Sequence, residues 1–251
     1  MPLIDAGDLR LNTLQMGEGT PVVLIHGVLL GSLAQWYFTV APVLARTHRV
    51  ILYDLRGHGR SEVPAAGYDL RTLGDDLDAL LSALDVTEPV DLVGHSYGAL
   101  IALHHALRHP GGVRRLALID APLPPAAAGI FDDALSRSAE ALVANLPESL
   151  RAPMAGGRRA ARLIGRLATL TGETTLLEDV AREPDLDDAD LAGIDVPVLC
   201  LYGETSRCRP AGERLARVLS DATLRTVPGG HFVPVEAPAP MTAAVSEFLD
   251  G

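Results

Sequence analysis

The stretch Val93-Gly94-His95-Ser96-Tyr97-Gly98-Ala99 decides how this chain folds. It holds a Gly-x-Ser-x-Gly pentapeptide between two segments of opposite character. Pro89 to Val93, ahead of it, is short and apolar, suited to a buried strand. Ala99 to Arg108, behind it, carries helix formers with no internal Gly or Pro. Strand, sharp turn and helix together make a nucleophile elbow, in which the serine backbone is strained and its hydroxyl stands clear of the sheet. Side chains larger than hydrogen at Gly94 and Gly98 would collide with that turn. The amino end of the helix favours negative charge developing beside the serine. The bland alternative is a strand-to-helix turn with no chemistry.

Outward from the elbow, apolar runs of strand length alternate with helical patterns. Val22 to Ile25, Val50 to Tyr53, Val90 to Val93, Leu116 to Ile119 and Val198 to Leu201 read as strands. Leu33 to Ala45, Leu73 to Leu84 and Ala99 to Arg108 read as helices. Continuous apolar strands separated by helices predict a parallel sheet covered on both faces. Leu3 to Met16 reads as an antiparallel edge strand or hairpin, Leu224 to Val227 as a last strand, and Met241 to Leu249 as a closing helix. Residues 122–190 break the alternation with helical patterns interrupted by Pro124-Pro125, Pro147, Pro153 and Gly156-Gly157. They read as a helical cap over the carboxyl edge of the sheet, where open α/β folds bind ligands. Residues 1–121 and 191–251 then form the two parts of the core.

Composition narrows the class. Hydrophobic content of 48% and charged content of 21% over 251 residues are those of a soluble globular domain. A net charge of -11 argues against a nucleic-acid partner. No run approaches the roughly 20 apolar residues of a membrane span. Asp5 and Asp8 interrupt the amino terminus where a signal peptide would be basic and then apolar, so a cytoplasmic location is expected. Cys200 sits in an apolar run and reads as a core residue, while Cys208 falls in a polar loop; neither has metal-ligand spacing with a histidine. All basic residues are Arg, and Arg151, Arg158, Arg159, Arg162 and Arg166 cluster in the cap. That cluster reads as a solvated helix face, or as a contact for an anionic substrate tail or an acyl carrier protein. Glu183, Asp185, Asp187, Asp188 and Asp190 read as a solvated linker back to the core.

A serine hydroxyl needs an adjacent base to attack a carbonyl. Among eight histidines, His231 follows the last strand in Pro228-Gly229-Gly230-His231-Phe232, and serine before histidine is the chain order expected on this kind of sheet. His26 reads as a residue that positions its loop, His58 as one that fixes a turn, and His95 as one that points away from the nucleophile. His104, His105 and His109 read as structural or solvated. An oxyanion needs placed donors: the Tyr97 amide after the nucleophile is one, and Val28, in the loop after Val22 to Ile25, is the best-placed second. Gly27 and Gly31 let that loop approach closely.

His26-Gly27, the run Asp54 to Ser61, Gly94 to Gly98 and Gly230-His231-Phe232 occur in the order and spacing of the α/β-hydrolase superfamily, which the whole chain resembles. The resemblance implies a twisted, mostly parallel sheet of about eight strands and a serine acyl-enzyme. Serine rather than aspartate at position 96 argues against the dehalogenase and epoxide-hydrolase branches. The family often places its acid as Gly-x-x-Asp after the strand at Val198 to Leu201, but here the segment reads Gly203-Glu204-Thr205-Ser206. Asp120, ending the strand Leu116 to Ile119, is the replacement favoured, and Leu118 to Pro125 looks like the corresponding stretch of polyketide and peptide-synthetase thioesterases. Glu204, or a triad without an acid, remains open.

The expected function is a serine hydrolase acting on a small carboxylic ester or thioester, with no metal or organic cofactor implied. Acyl transfer or cyclisation by a related acyl-enzyme is the nearer alternative. A ligand-binding protein or lyase that never acylates its serine is the further one. Phe131 is the one aromatic residue of the cap, so aliphatic side chains are expected to grip the substrate.

Overall fold

In a computed structural model, residues 3–124, 143, 148–151 and 156–251 are described. The apolar runs become strands β1 (Leu3–Ala6), β2 (Leu9–Met16), β3 (Thr20–Ile25), β4 (His48–Tyr53), β5 (Val90–His95), β6 (Val113–Ile119), β7 (Val198–Gly203) and β8 (Ala222–Val227). They form one sheet in the order β1-β2-β4-β3-β5-β6-β7-β8. β1 and β2 form the antiparallel hairpin at the edge, β2 joins β4 antiparallel, and the remaining pairs are parallel.

Strands buried on both faces need apolar residues at every position rather than alternate ones. Val22, Val23, Leu24 and Ile25 are all fully buried. One face of the sheet packs Val23, Leu92, Leu116 and Leu118 beneath helices α3 (Leu70–Ala83) and α4 (Tyr97–Arg108). The other packs Leu24, Val93, Ala117 and Leu201 with Trp36, Leu44, Met241 and Val245. Each such fully buried aliphatic side chain contributes about 1.5–3 kcal/mol.

The expected helix Leu33 to Ala45 is instead two short ones, α1 (Ala34–Tyr37) and α2 (Ala41–Leu44). Pro42 lacks the N–H that would continue the first helix, and it restarts the second in its opening turn. Helix α3 begins at Leu70 rather than Leu73 because Asp69 caps it, accepting the Thr72 amide at 2.9 Å.

Between β6 and β7 the described segments are helices: α5 (Glu148–Arg151), α6 (Gly157–Gly172), α7 (Leu176–Arg182) and α8 (Asp188–Leu191). Phe131 lies outside the described residues. α6 buries Ala160, Leu167 and Leu170 at helical spacing and leaves Arg158 and Arg162 exposed. The acidic run after α7 is largely exposed, as expected of a solvated linker, and is also tied to the core. Asp185 and Asp188 pair with Arg214 at 2.7 and 2.8 Å, Glu183 accepts the Leu70 amide at 3.3 Å, and Asp187 caps α8. The chain closes through α9 (Arg209–Val218), α10 (Val233–Glu236) and α11 (Pro238–Asp250). Among the described residues no helix is long and apolar enough to cross a membrane.

The register of the central strands places the site. Ile25 pairs with Gly94, His95 with Ile119, and Ile119 with Leu201. The residues just after β3, β5, β6 and β7 therefore emerge side by side at one edge. The chain reverses its direction across the sheet between β3 and β5, the crevice where open α/β sheets take ligands.

Candidate active site

Ser96 occupies the one residue between β5 and α4, at φ 55° and ψ -125°. Its amide continues the ladder by donating to Ile119 O at 2.9 Å, and its carbonyl accepts the Ala99 amide at 2.9 Å. Both neighbouring glycines are sterically required. A Cβ on Gly94 would lie 2.3 Å from Gly98 O, and one on Gly98 would lie 2.4 Å from Ile25 O. A non-glycine residue held at positive φ costs on the order of 1–3 kcal/mol, borne here by the surrounding packing.

His231 sits on the loop between β8 and α10, with Nε2 2.9 Å from Ser96 Oγ. Its Nδ1 faces Asp120 Oδ2 at 3.3 Å. Asp120 follows β6 immediately, is fully buried, has φ 50°, and donates its amide to Leu201 O at 2.8 Å. Ser206, which stands where the family often has its aspartate, donates its hydroxyl to the same Asp120 oxygen at 2.5 Å and accepts the Cys208 amide at 3.0 Å. Glu204 is exposed, and among the described residues it makes no hydrogen bond or ion pair to His231.

Two residues beside His231 were not legible as neighbours of it. Cys208 is buried rather than in a solvated loop, and its Sγ lies 3.6 Å from His231 Nδ1. Burial, with the Asp120 charge beside it, pushes this thiol up to about 12, so it is a neutral wall rather than a thiolate. His95, expected to point away from the nucleophile, reaches His231 O with its Nε2 at 2.9 Å. A carbonyl only accepts, so Nε2 carries the proton. Burial, reinforced by His231, brings His95 down to about 3 and keeps it neutral. No sequence signal marks this contact beyond adjacency to Ser96.

The loop after β3 lies against the serine: a Cβ on Gly27 would be 3.0 Å from Ser96 Cβ. Two buried histidines hold this loop to the segment after β4. His26 Nε2 accepts the Leu55 amide at 3.0 Å, and its Nδ1–H donates to Gly27 O at 2.8 Å. His58 Nε2 accepts the Leu29 amide at 2.8 Å, and its Nδ1–H donates to Arg56 O at 2.7 Å. Each ring must be neutral to accept an amide proton. Burial brings His26 to about 4 and His58 to about 3, so charge and geometry agree. Asp54 completes the anchorage, accepting the Leu33 and Arg60 amides at 2.8 and 2.9 Å and Asn12 Nδ2 at 2.6 Å. Val28 lies between these fixed points, and Tyr97 opens α4 beside Ser96.

These contacts set a hydroxyl, an imidazole and a carboxylate in line beneath a loop and a helix amino end. A family model described as the alpha/beta hydrolase fold matches residues 20–152. The non-heme chloroperoxidase of Streptomyces lividans is 32% identical over 240 residues, 84% of each chain. The chain belongs to the α/β-hydrolase fold family and is by class a hydrolase. Among solved structures, the enol-lactonase from Burkholderia xenovorans LB400 shares the fold at a TM-score of 0.82, covering 100% of both chains at 24% identity. Est816, described as an N-acyl homoserine lactone degrading enzyme, aligns at a TM-score of 0.75 and 27% identity, covering 98% of this chain and 100% of its own.

Proposed function

We propose that this hydrolase cleaves small carboxylic esters, cyclic ones included, through an acyl-enzyme on Ser96. The observation that carries the reading is His231 Nε2 at 2.9 Å from Ser96 Oγ with Asp120 behind the other ring nitrogen. His231 takes the hydroxyl proton as Ser96 Oγ attacks the carbonyl carbon, and the Val28 and Tyr97 amides receive the oxyanion. The intermediate collapses as His231 returns the proton to the leaving oxygen. Water, deprotonated by His231, then attacks the acyl-serine, and the acid departs with Ser96 Oγ reprotonated. Asp120 orients His231 and stabilises its protonated form. The likeness to a lactone-degrading enzyme supports a cyclic ester among the substrates.

A thioester is the second substrate class, favoured by the position of Asp120 at the end of β6 rather than after β7. Arg158 and Arg162, exposed on α6, are the cations that an anionic tail or an acyl carrier protein would meet. The non-acylating reading loses its motive, since the residue at 206 supports an acid at 120 instead of leaving the histidine without one.

A fluorophosphonate probe tests the reading. Wild type is expected to label at one serine and Ser96→Ala not at all, with kcat on p-nitrophenyl acetate falling by a factor on the order of 10⁶. Unlabelled wild type, or unchanged turnover in Ser96→Ala, would sink the acyl-enzyme. Product analysis with a lactone and an acyl thioester, each with a competing amine, separates hydrolysis from acyl transfer.

A further inference from the structure

Between α3 and the end of α4, three metal-ligating side chains converge that the proposed chemistry does not use. His105 and His109 are four residues apart, so their imidazoles stack one turn above the other on α4 and just past its end. Their ring centroids are 4.5 Å apart. Asp78, from α3, faces both: Oδ2 lies 2.9 Å from His109 Nε2, and Oδ1 lies 3.1 Å from His105 Nδ1. His105 is buried, and its Nδ1 faces the Asp78 carboxylate outside good hydrogen-bond alignment, an ion-pair contact rather than a well-formed hydrogen bond. A buried ring nitrogen that meets only a poorly aligned carboxylate calls for an explanation, and a cation shared between the two is one.

We propose that Asp78, His105 and His109 form a binding site for one divalent transition-metal ion of the zinc class. The three donor atoms lie within 4.8 Å of one another. An ion bonded to each at about 2.0–2.2 Å in tetrahedral geometry separates its donors by roughly 3.3–3.6 Å, so the 2.9 and 3.1 Å contacts to Asp78 would widen by a few tenths of an ångström to admit it. Two imidazoles with one carboxylate suit zinc, copper or nickel rather than calcium or magnesium. The side chains of Asp78 and His109 are 31% and 39% exposed, which leaves an approach for the ion and water for the remaining coordination. His105 lies nine residues along the chain from Ser96, roughly 13 Å of helix, so the ion is a clamp between α3 and α4 and takes no part in ester cleavage.

The test uses the full chain without a polyhistidine tag, titrated calorimetrically with Zn²⁺ and, separately, followed by the visible absorption of Co²⁺. One ion per chain is expected, with a melting temperature that rises on adding Zn²⁺. His109→Ala, at a half-exposed position, should weaken binding by more than the ~10–100-fold that loss of a supporting contact costs. Asp78→Asn serves as a second ligand variant, and Cys208→Ala should bind as wild type does. Absence of stoichiometric binding overturns the site. So does binding that survives His109→Ala and Asp78→Asn but is lost in Cys208→Ala, which would put the ion at Asp120, Cys208 and His231 instead.

Discussion

Ser206 and Asp120 share one hydrogen bond and, between them, the question of where the acid belongs. Replacing Asp120 by Asn keeps the shape but removes the charge that fixes the imidazole tautomer, and kcat should fall by roughly 10⁴. Ser206 Oγ lies 2.5 Å from Asp120 Oδ2, so a carboxylate placed at 206 stands close to the original one. The double variant Asp120→Asn with Ser206→Asp is therefore expected to recover at least about tenfold of the lost kcat in ester hydrolysis. A double variant no faster than Asp120→Asn alone would mean that position 206 cannot present an acid to His231. Ser96, His231 and Asp120 could be singled out in the sequence because each ends or follows a strand in a recognisable motif. The neighbours of His231 could not. His95 and Cys208 meet it across 136 and 23 residues of chain, contacts that exist once the strands are in register.

The loop from His26 to Leu33 shows how an element is held still. Gly31 packs so closely that a Cβ there would lie 2.0 Å from Gly27 O and 2.4 Å from His26 Nδ1. Gly31→Ala must shift the loop at Gly27 and His26, and with it the Val28 amide. A misplacement of about 1 Å is enough to lower kcat on the order of 10²-fold, with KM little changed, as read by steady-state ester kinetics. An unchanged kcat would show that this loop supplies no oxyanion donor. The strands were the most legible elements, because burial on both faces writes itself as unbroken runs such as Val22 to Ile25. Helix ends were less so. Leu33 to Ala45 has helical periodicity, yet Pro42 divides it, and the exposed acidic residues after α7 also reach Arg214 and the Leu70 amide, contacts the sequence does not show.

For the molecule as a whole, three buried histidines set the response to acid. His26, His58 and His95 are held at about 4, 3 and 3, well below the ordinary value of 6.5, chiefly by burial. The unfolded chain takes up protons at these sites below about pH 6.5 while the folded chain does not, so stability is full above that pH and is lost as pH falls. Each histidine contributes a slope of about 1.4 kcal/mol per pH unit between its unfolded and folded values. Urea unfolding at pH 7, 6 and 5 should show this loss, and His58→Gln should make the slope shallower while lowering stability at pH 7. Equal slopes in the two proteins would show that His58 is not held neutral by folding.

The order of the chain separates two jobs. Ser96, Asp120 and the loop carrying Val28 all come before the helices that lie between β6 and β7, and His231 comes after them. Ser96 and Asp120 are fixed to each other by adjacent strands, and His231 is brought back to them by the β7–β8 pairing and by His95. Insertions and deletions in the connection between β6 and β7 thus leave those distances untouched. The exposed part of that connection can therefore change in length without altering how the strands set Ser96, Asp120 and His231 relative to one another, whereas Leu167, Leu170 and Leu176 bind its inner face to the core.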